Sequence, residues 1–122
     1  MTEILFFDSY ALVEMLRGNP AYSKFHSVRP VVTKLNLFEV CYTLLREALV
    51  NDAEEFLGDY AQFVVDFDNR LILESAALRL KLKRRNVSMT DCIGYVVSQH
   101  LGVRFLTGDE QFKDLPNVEF VK

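Results

Sequence analysis

Ile4-Leu5-Phe6-Phe7-Asp8-Ser9 sets four apolar residues directly before an acid and a hydroxyl. The run is too short for a buried helix and reads as a buried strand. Asp8-Ser9 then caps a helix from Tyr10 to Arg17, which Gly18 stops, with Asn19-Pro20 behind it. The same alternation continues outward. A short helix is expected over Ala21 to Phe25 and a strand at Val31-Val32. Thr33 caps a long helix running to about Val50. Asn51 caps the next, from Asp52 to about Tyr60, and Phe63-Val64-Val65 is a strand candidate. Asp68 caps a helix from Asn69 to about Arg85. Ser88-Met89-Thr90-Asp91 opens another, which Gly102 closes. Val103 to Leu106 is a strand, Glu110 to Lys113 one helical turn, and Val118 to Val121 a last strand. Strands alternating with helices predict an α/β fold. Its mostly parallel central sheet is flanked by helices on both faces, a three-layer α/β/α architecture.

The chain has 122 residues, half of them hydrophobic and a quarter charged, which suits one domain with a proper core and argues against disorder. Cys41 and Cys92 form no disulfide framework and read as free thiols of a reducing compartment. The first residues lack the basic start and cleavage site of a signal peptide, and no apolar stretch is long enough to cross a bilayer. A cytoplasmic protein with no membrane partner is expected. The net charge of −3 argues at first against nucleic acid. Setting aside four acids that have a metal-binding reading leaves thirteen acids against fourteen bases, so net charge is neutral evidence.

Those four are Asp8, Glu39, Asp91 and Asp109. Each has a structural role open to it. Asp8 and Asp109 are natural helix caps, Asp91 completes a capping box with Ser88, and Glu39 can sit on a solvated helix edge. Their joint placement points further. Asp8 and Asp109 lie just after strands, Asp91 lies in a first helical turn, and Glu39 follows a strand closely. In parallel sheets the carboxyl ends of the strands are where ligands bind. Carboxylates held together without a counter-charge repel one another, and a hard divalent cation such as Mg²⁺ or Mn²⁺ relieves that repulsion. Zinc is disfavoured, because His26 and His100 have no ligand spacing and there is no CxxC. The chemistry that suits such a site is phosphodiester hydrolysis by metal-activated water. There is no Walker loop and no GxSxG element. Tyr10 stands where a DxD phosphatase has its second aspartate.

Four segments carry a family resemblance: Phe6-Phe7-Asp8-Ser9-Tyr10-Ala11-Leu12, Thr33 to Val40 with Glu39, Ser88 to Gly94 with Asp91, and Phe105 to Phe112 with Asp109. In this order and at these spacings the chain resembles the PIN-domain nucleases, specifically the VapC-type toxins of toxin–antitoxin pairs. The resemblance spans essentially the whole chain, as a single PIN-like domain over residues 1–122. It implies an Mg²⁺- or Mn²⁺-dependent endoribonuclease acting on RNA, with Asp8, Glu39, Asp91 and Asp109 as metal and catalytic residues. Thr107 and Ser9 are implied as supporting hydroxyls. A homodimer and an antitoxin partner covering the site are implied as well. Tyr10 and Gly94-Tyr95 depart from the family pattern, which bears on groove width and helix packing rather than on the metal ligands.

Arg79, Lys81, Lys83, Arg84 and Arg85 put five bases in seven residues and are candidates to contact RNA phosphates. Cations at a helix C-terminus are an equally good account of them. Lys24, His26, Arg29 and Lys34 form a weaker basic set, and metal activation of water makes His26 unnecessary as a base. Two rivals stand beside the nuclease. One is a catalytically silent PIN-like module that binds RNA or protein. The other is a receiver-type signalling domain, disfavoured because the Asp8-Ser9-Tyr10 opening lacks the paired acids such a domain has near its first strand.

Overall fold

The structure is a computed structural model describing residues 2–122. Its sheet has four parallel strands: β1 (Ile4–Phe7), β2 (Arg29–Val31), β3 (Arg104–Thr107) and β4 (Val118–Phe120). Their spatial order is β2-β1-β3-β4. The α-helices are α1 (Ser9–Leu16), α2 (Lys34–Arg46), α3 (Val50–Tyr60), α4 (Asn69–Lys81) and α5 (Met89–Leu101), with short 3₁₀ segments at Pro20–Ser27, Ala61–Phe63 and Glu110–Phe112.

Side-chain alternation along the strands creates two cores. Leu5, Phe7 and Leu106 point to one face and pack with Leu12, Val40 and Phe56 from α1, α2 and α3. Phe6 and Phe105 point to the other and pack with Tyr95, Val96 and Leu71 from α5 and α4. The predicted three layers are therefore present. The chain leaves β1 for β2 on one side and returns to β3 on the other, so the strand order reverses between β1 and β3. A crevice at such a reversal is where parallel sheets bind ligands.

Three of the caps read from the sequence are in place. Asp8, Asp68 and Ser88 accept from the backbone N–H of Ala11, Leu71 and Asp91 respectively. The stops expected at Gly18 and Gly102 both fall at positive φ. Several boundaries differ: β2 covers Arg29–Val31 rather than Val31-Val32, the first 3₁₀ segment covers Pro20–Ser27 rather than Ala21 to Phe25, and three helix ends move. The helix from Thr33 ends at Arg46 rather than near Val50, because Ala48 turns left-handed at φ 61° and Leu49 bonds back to the Leu44 carbonyl at 2.9 Å. α3 accordingly begins at Val50, one residue ahead of the expected Asn51 cap. α4 stops at Lys81, and a turn closes with Arg85 N–H on the Leu82 carbonyl. Phe63-Val64-Val65 is not a strand. Phe63 and Val65 bond only to Val32, a single parallel bridge, since Thr33 leaves at once to start α2.

A non-glycine residue in the left-handed region costs roughly 1 kcal/mol. Ala48→Gly should therefore stabilise the protein by about 0.5–1 kcal/mol, read as a higher denaturant midpoint at unchanged slope.

Candidate metal centre

The carboxyl edge of the sheet receives acids from four elements. β1 and β3 deliver Asp8 and Asp109 directly. α5 runs antiparallel to β3, so its first turn, with Asp91, lies at that same edge. α2 starts two residues beyond β2 and puts Glu39 in its second turn.

Asp8 is the buried member, with 2% of its surface exposed. Its Oδ1 accepts the Ala11 N–H at 2.8 Å, and its Oδ2 accepts the hydroxyl of the fully buried Thr107. The Thr107 Oγ1 also accepts the Asp109 N–H at 3.0 Å. One hydroxyl thus ties together the ends of β1 and β3. Burial pushes the Asp8 carboxyl up to about 8 despite the Thr107 and Ala11 hydrogen bonds, and the charges of Asp91 and Asp109 add to the rise. Asp91 is raised too, first by burial and then by Glu39 and Asp109, against hydrogen bonds from Ser88. Asp91 is thus within electrostatic reach of the other three acids, and Asp8 within reach of Asp91 and Asp109.

Glu39 is positioned by a relay. The Asn36 Oδ1 accepts the Thr33 N–H at 2.9 Å and the Thr33 hydroxyl at 3.0 Å. Its Nδ2 donates to Ser9 Oγ at 3.1 Å, and Ser9 Oγ donates to Glu39 Oε1 at 2.6 Å. Asn36 is 1% exposed and was not among the candidates from sequence. Its signal is the Thr33-x-x-Asn36 spacing, which reads as a local helix cap and conceals the reach across to α1. Removing the Ser9 hydroxyl leaves the buried Asn36 amide unpaired and frees Glu39. Ser9→Ala should cost about 1 kcal/mol in stability. In a nuclease it should cost about tenfold or more in turnover, checked by denaturation and single-turnover cleavage.

Ser9 and Glu39 also border an open groove of about 550 Å³ between α1 and α2, whose rim carries the exposed Phe38 and Tyr42. Tyr10 lies at its inner end. A Cβ on Gly108 would meet the Tyr10 ring at 2.2 Å and the Val121 carbonyl at 2.6 Å, so Tyr10 lies flush on the glycine beside the site. Tyr22 faces no groove: it is fully buried, with its hydroxyl on the Val121 carbonyl. His26 lies with Thr2 and Arg29 beside the other end of the sheet and has no part in this cluster.

The residues suit a hard cation in charge and donor type. All four donors are carboxylates, and none of them forms a salt bridge among the described residues. Among those residues no three acid, histidine or cysteine side chains already stand close enough to chelate an ion.

Of the basic run, Arg85 is engaged structurally, donating to both oxygens of Asp114 at 2.7 and 3.0 Å and to the Gln111 carbonyl at 2.7 Å. Arg79, Lys81, Lys83 and Arg84 are exposed and form no salt bridge among the described residues.

A four-stranded parallel sheet between helical layers, with carboxylates gathered where its strand order reverses, defines an α/β protein built around an acidic site at the sheet's carboxyl edge. Within that class the chain belongs to the PIN domain family, whose profile matches residues 5–118. The fold is similar to a toxin–antitoxin complex from Klebsiella pneumoniae (TM-score 0.75, 17% identity, covering 94% of this chain and 95% of that one). It is also similar to VapBC2 from Rickettsia felis bound to a promoter DNA fragment (0.72, 14%, 98% and 99%). DNA-bound VapBC from Salmonella typhimurium is a third such structure (0.69, 15%, 98% and 97%). No curated protein matches the sequence. No helix among the described residues is long and apolar enough to cross a membrane.

Proposed function

We propose that this protein is a divalent-metal-dependent endoribonuclease, the toxin of a toxin–antitoxin pair, in which Asp8, Glu39, Asp91 and Asp109 hold Mg²⁺ or Mn²⁺. The observation that carries this reading is that acids from four elements lie near the buried Asp8 and Asp91, with none of them in a salt bridge among the described residues. Such a cluster is stable as four anions only when a cation joins it. Bound metal would activate water and stabilise charge developing on the phosphate.

The chain's own residues prepare for this. Thr107 and the Ala11 N–H hold Asp8 in one orientation, and Thr107 fixes the backbone of Asp109 beside it. Ser9 aims Glu39, and the Ser88 N–H holds Asp91 Oδ2 at 3.1 Å. PIN-family membership and the likeness to toxin–antitoxin complexes support an antitoxin partner. The proposal includes a homodimer, a single functional domain and a cytoplasmic site of action, where the free Cys41 and Cys92 stay reduced.

Purified protein should cleave RNA in Mg²⁺ or Mn²⁺, lose that activity in EDTA, and regain it when the ion is restored. Cleavage that survives EDTA, or that Asp91→Asn leaves at full rate, would overturn the metal assignment. A silent binding module would instead bind RNA or protein with no carboxylate-dependent uptake of Mn²⁺.

A further inference from the structure

We propose a second nucleotide subsite, outside the carboxylate cluster, in the recess between the end of α4 and the start of α5. From Ser75 to Thr90 the chain contains no acid and five bases, although its net charge is −3. The fold does not neutralise them. Among the described residues Arg85 is the one of these five with an acidic partner, while Arg79 and Lys83 stand exposed beside a recess of about 340 Å³. Its apolar walls are Leu80, Val87 and Met89, and no acid lines it. Leu80 and Met89 are each 69% exposed, so their apolar surface is open to a ligand.

Cations around an apolar floor match a nucleotide. The phosphates meet Arg79 and Lys83, and the unstacked base lies against Leu80 and Met89. Arg85, clamped and charge-paired by Asp114 and held by the Gln111 carbonyl, is a fixed part of the wall rather than a mobile arm. A run of Asp and Glu would satisfy the cations but leave the apolar floor uncovered, whereas each nucleotide brings a phosphate and a planar base together, so single-stranded RNA is the occupant the recess favours. The location supports this. Val87 and Met89 flank Ser88, whose N–H and Oγ both bond Asp91. Asp91 is four positions on from Val87, at most about 14 Å of chain, so an RNA strand seated here extends readily to the carboxylates. The subsite deepens the nuclease reading, yet it is measurable without cleavage.

The test is fluorescence anisotropy in EDTA with a labelled oligouridylate of about ten nucleotides. Arg79→Glu/Lys83→Glu should weaken binding about tenfold or more, and the milder Arg79→Gln/Lys83→Gln should lower the log–log salt slope by about 1.4. Lys24→Glu/Arg70→Glu, equally charged but away from the recess, with Arg70 at the opposite end of α4, should change affinity less than twofold. An abasic oligomer of the same length should bind wild type several-fold more weakly. Equal loss in both charge-reversal variants, equal binding of the abasic oligomer, or displacement by oligoglutamate as effective as by RNA would overturn the proposal. Loss of metal-dependent cleavage with this binding pattern intact would sink the nuclease reading alone.

Discussion

Asp8→Asn will lower metal-dependent RNA cleavage by about a thousandfold or more, since a lost metal carboxylate forfeits several kcal/mol of charge stabilisation. The same variant will be more stable than the wild type when metal is absent and the pH is high. The cause is burial. Desolvation pushes the Asp8 carboxyl in the folded chain up to about 8 from its ordinary 3.8. Between those values the folded state keeps a proton that the unfolded state has released. Stability from this group is therefore complete below about pH 4 and is lost as pH rises to about 8. Asparagine has no proton to lose. Its oxygen can still accept the Ala11 N–H and its amide can face the Thr107 hydroxyl, so the cap survives. The two proteins should unfold alike near pH 4. By pH 8.5 in EDTA the variant should lead by on the order of 3 kcal/mol, or roughly 10 °C in Tm. Millimolar Mn²⁺ should close the gap by raising the wild type only. A stability difference that is flat with pH, or one that Mn²⁺ leaves unchanged, would remove the argument that Asp8 waits for a cation.

How far these features can be read from sequence depends on whether their partners are local. Asp8, Asp68 and Ser88 announce helix starts because a cap bonds to a backbone group three residues on. The strands at Ile4 and Arg104 announce themselves by apolar runs that end in Asp8 and in Thr107-Gly108-Asp109. Ala48 announces nothing, since an alanine that turns left-handed looks in sequence like one that continues a helix. Phe63-Val64-Val65 has strand composition, but whether it joins the sheet depends on what Val32 does next.

The site divides in the same way. Its four acids are visible as strand ends and helix starts. The Thr107 hydroxyl joins Asp8 to the Asp109 backbone across 99 residues of chain, and that link exists only once β1 and β3 pair. Asn36 reaches Ser9 across 27 residues, so its part in aiming Glu39 lies outside any local pattern. Arg85 is the converse case. It reads as one more cation in a basic run, and only the fold reveals Asp114 as its partner.

Gly94→Val is expected to destabilise the protein by about 3 kcal/mol or more and to disturb the site from a distance. Gly94 lies mid-helix in α5, where glycine ordinarily costs about 1 kcal/mol relative to alanine, so its presence needs a packing reason. A Cβ there would stand 2.7 Å from Phe6 Cε1, 3.0 Å from Phe6 Cζ and 3.2 Å from Phe105 Cε1. The rings have nowhere to go. Phe6 and Phe105 are fully buried and stacked at 5.7 Å, Phe105 packs on Tyr95 and Phe112, and the Tyr95 hydroxyl is tied to the Pro116 carbonyl at 2.5 Å. Gly94→Ala should cost about 1–2 kcal/mol, the clash outweighing the helix-propensity gain. Phe6→Leu removes the two ring atoms nearest the new Cβ. Combined with Gly94→Ala it should show a favourable coupling of about 1 kcal/mol or more in a double-mutant cycle. Because Phe6 stands two residues before Asp8 on β1, any shift that seats the larger side chain moves the strand end that carries the buried carboxylate. Cleavage by Gly94→Val should therefore fall even at temperatures where it remains folded. Strict additivity between the Phe6 and Gly94 substitutions would show that the contact between ring and helix is not what requires glycine at this position.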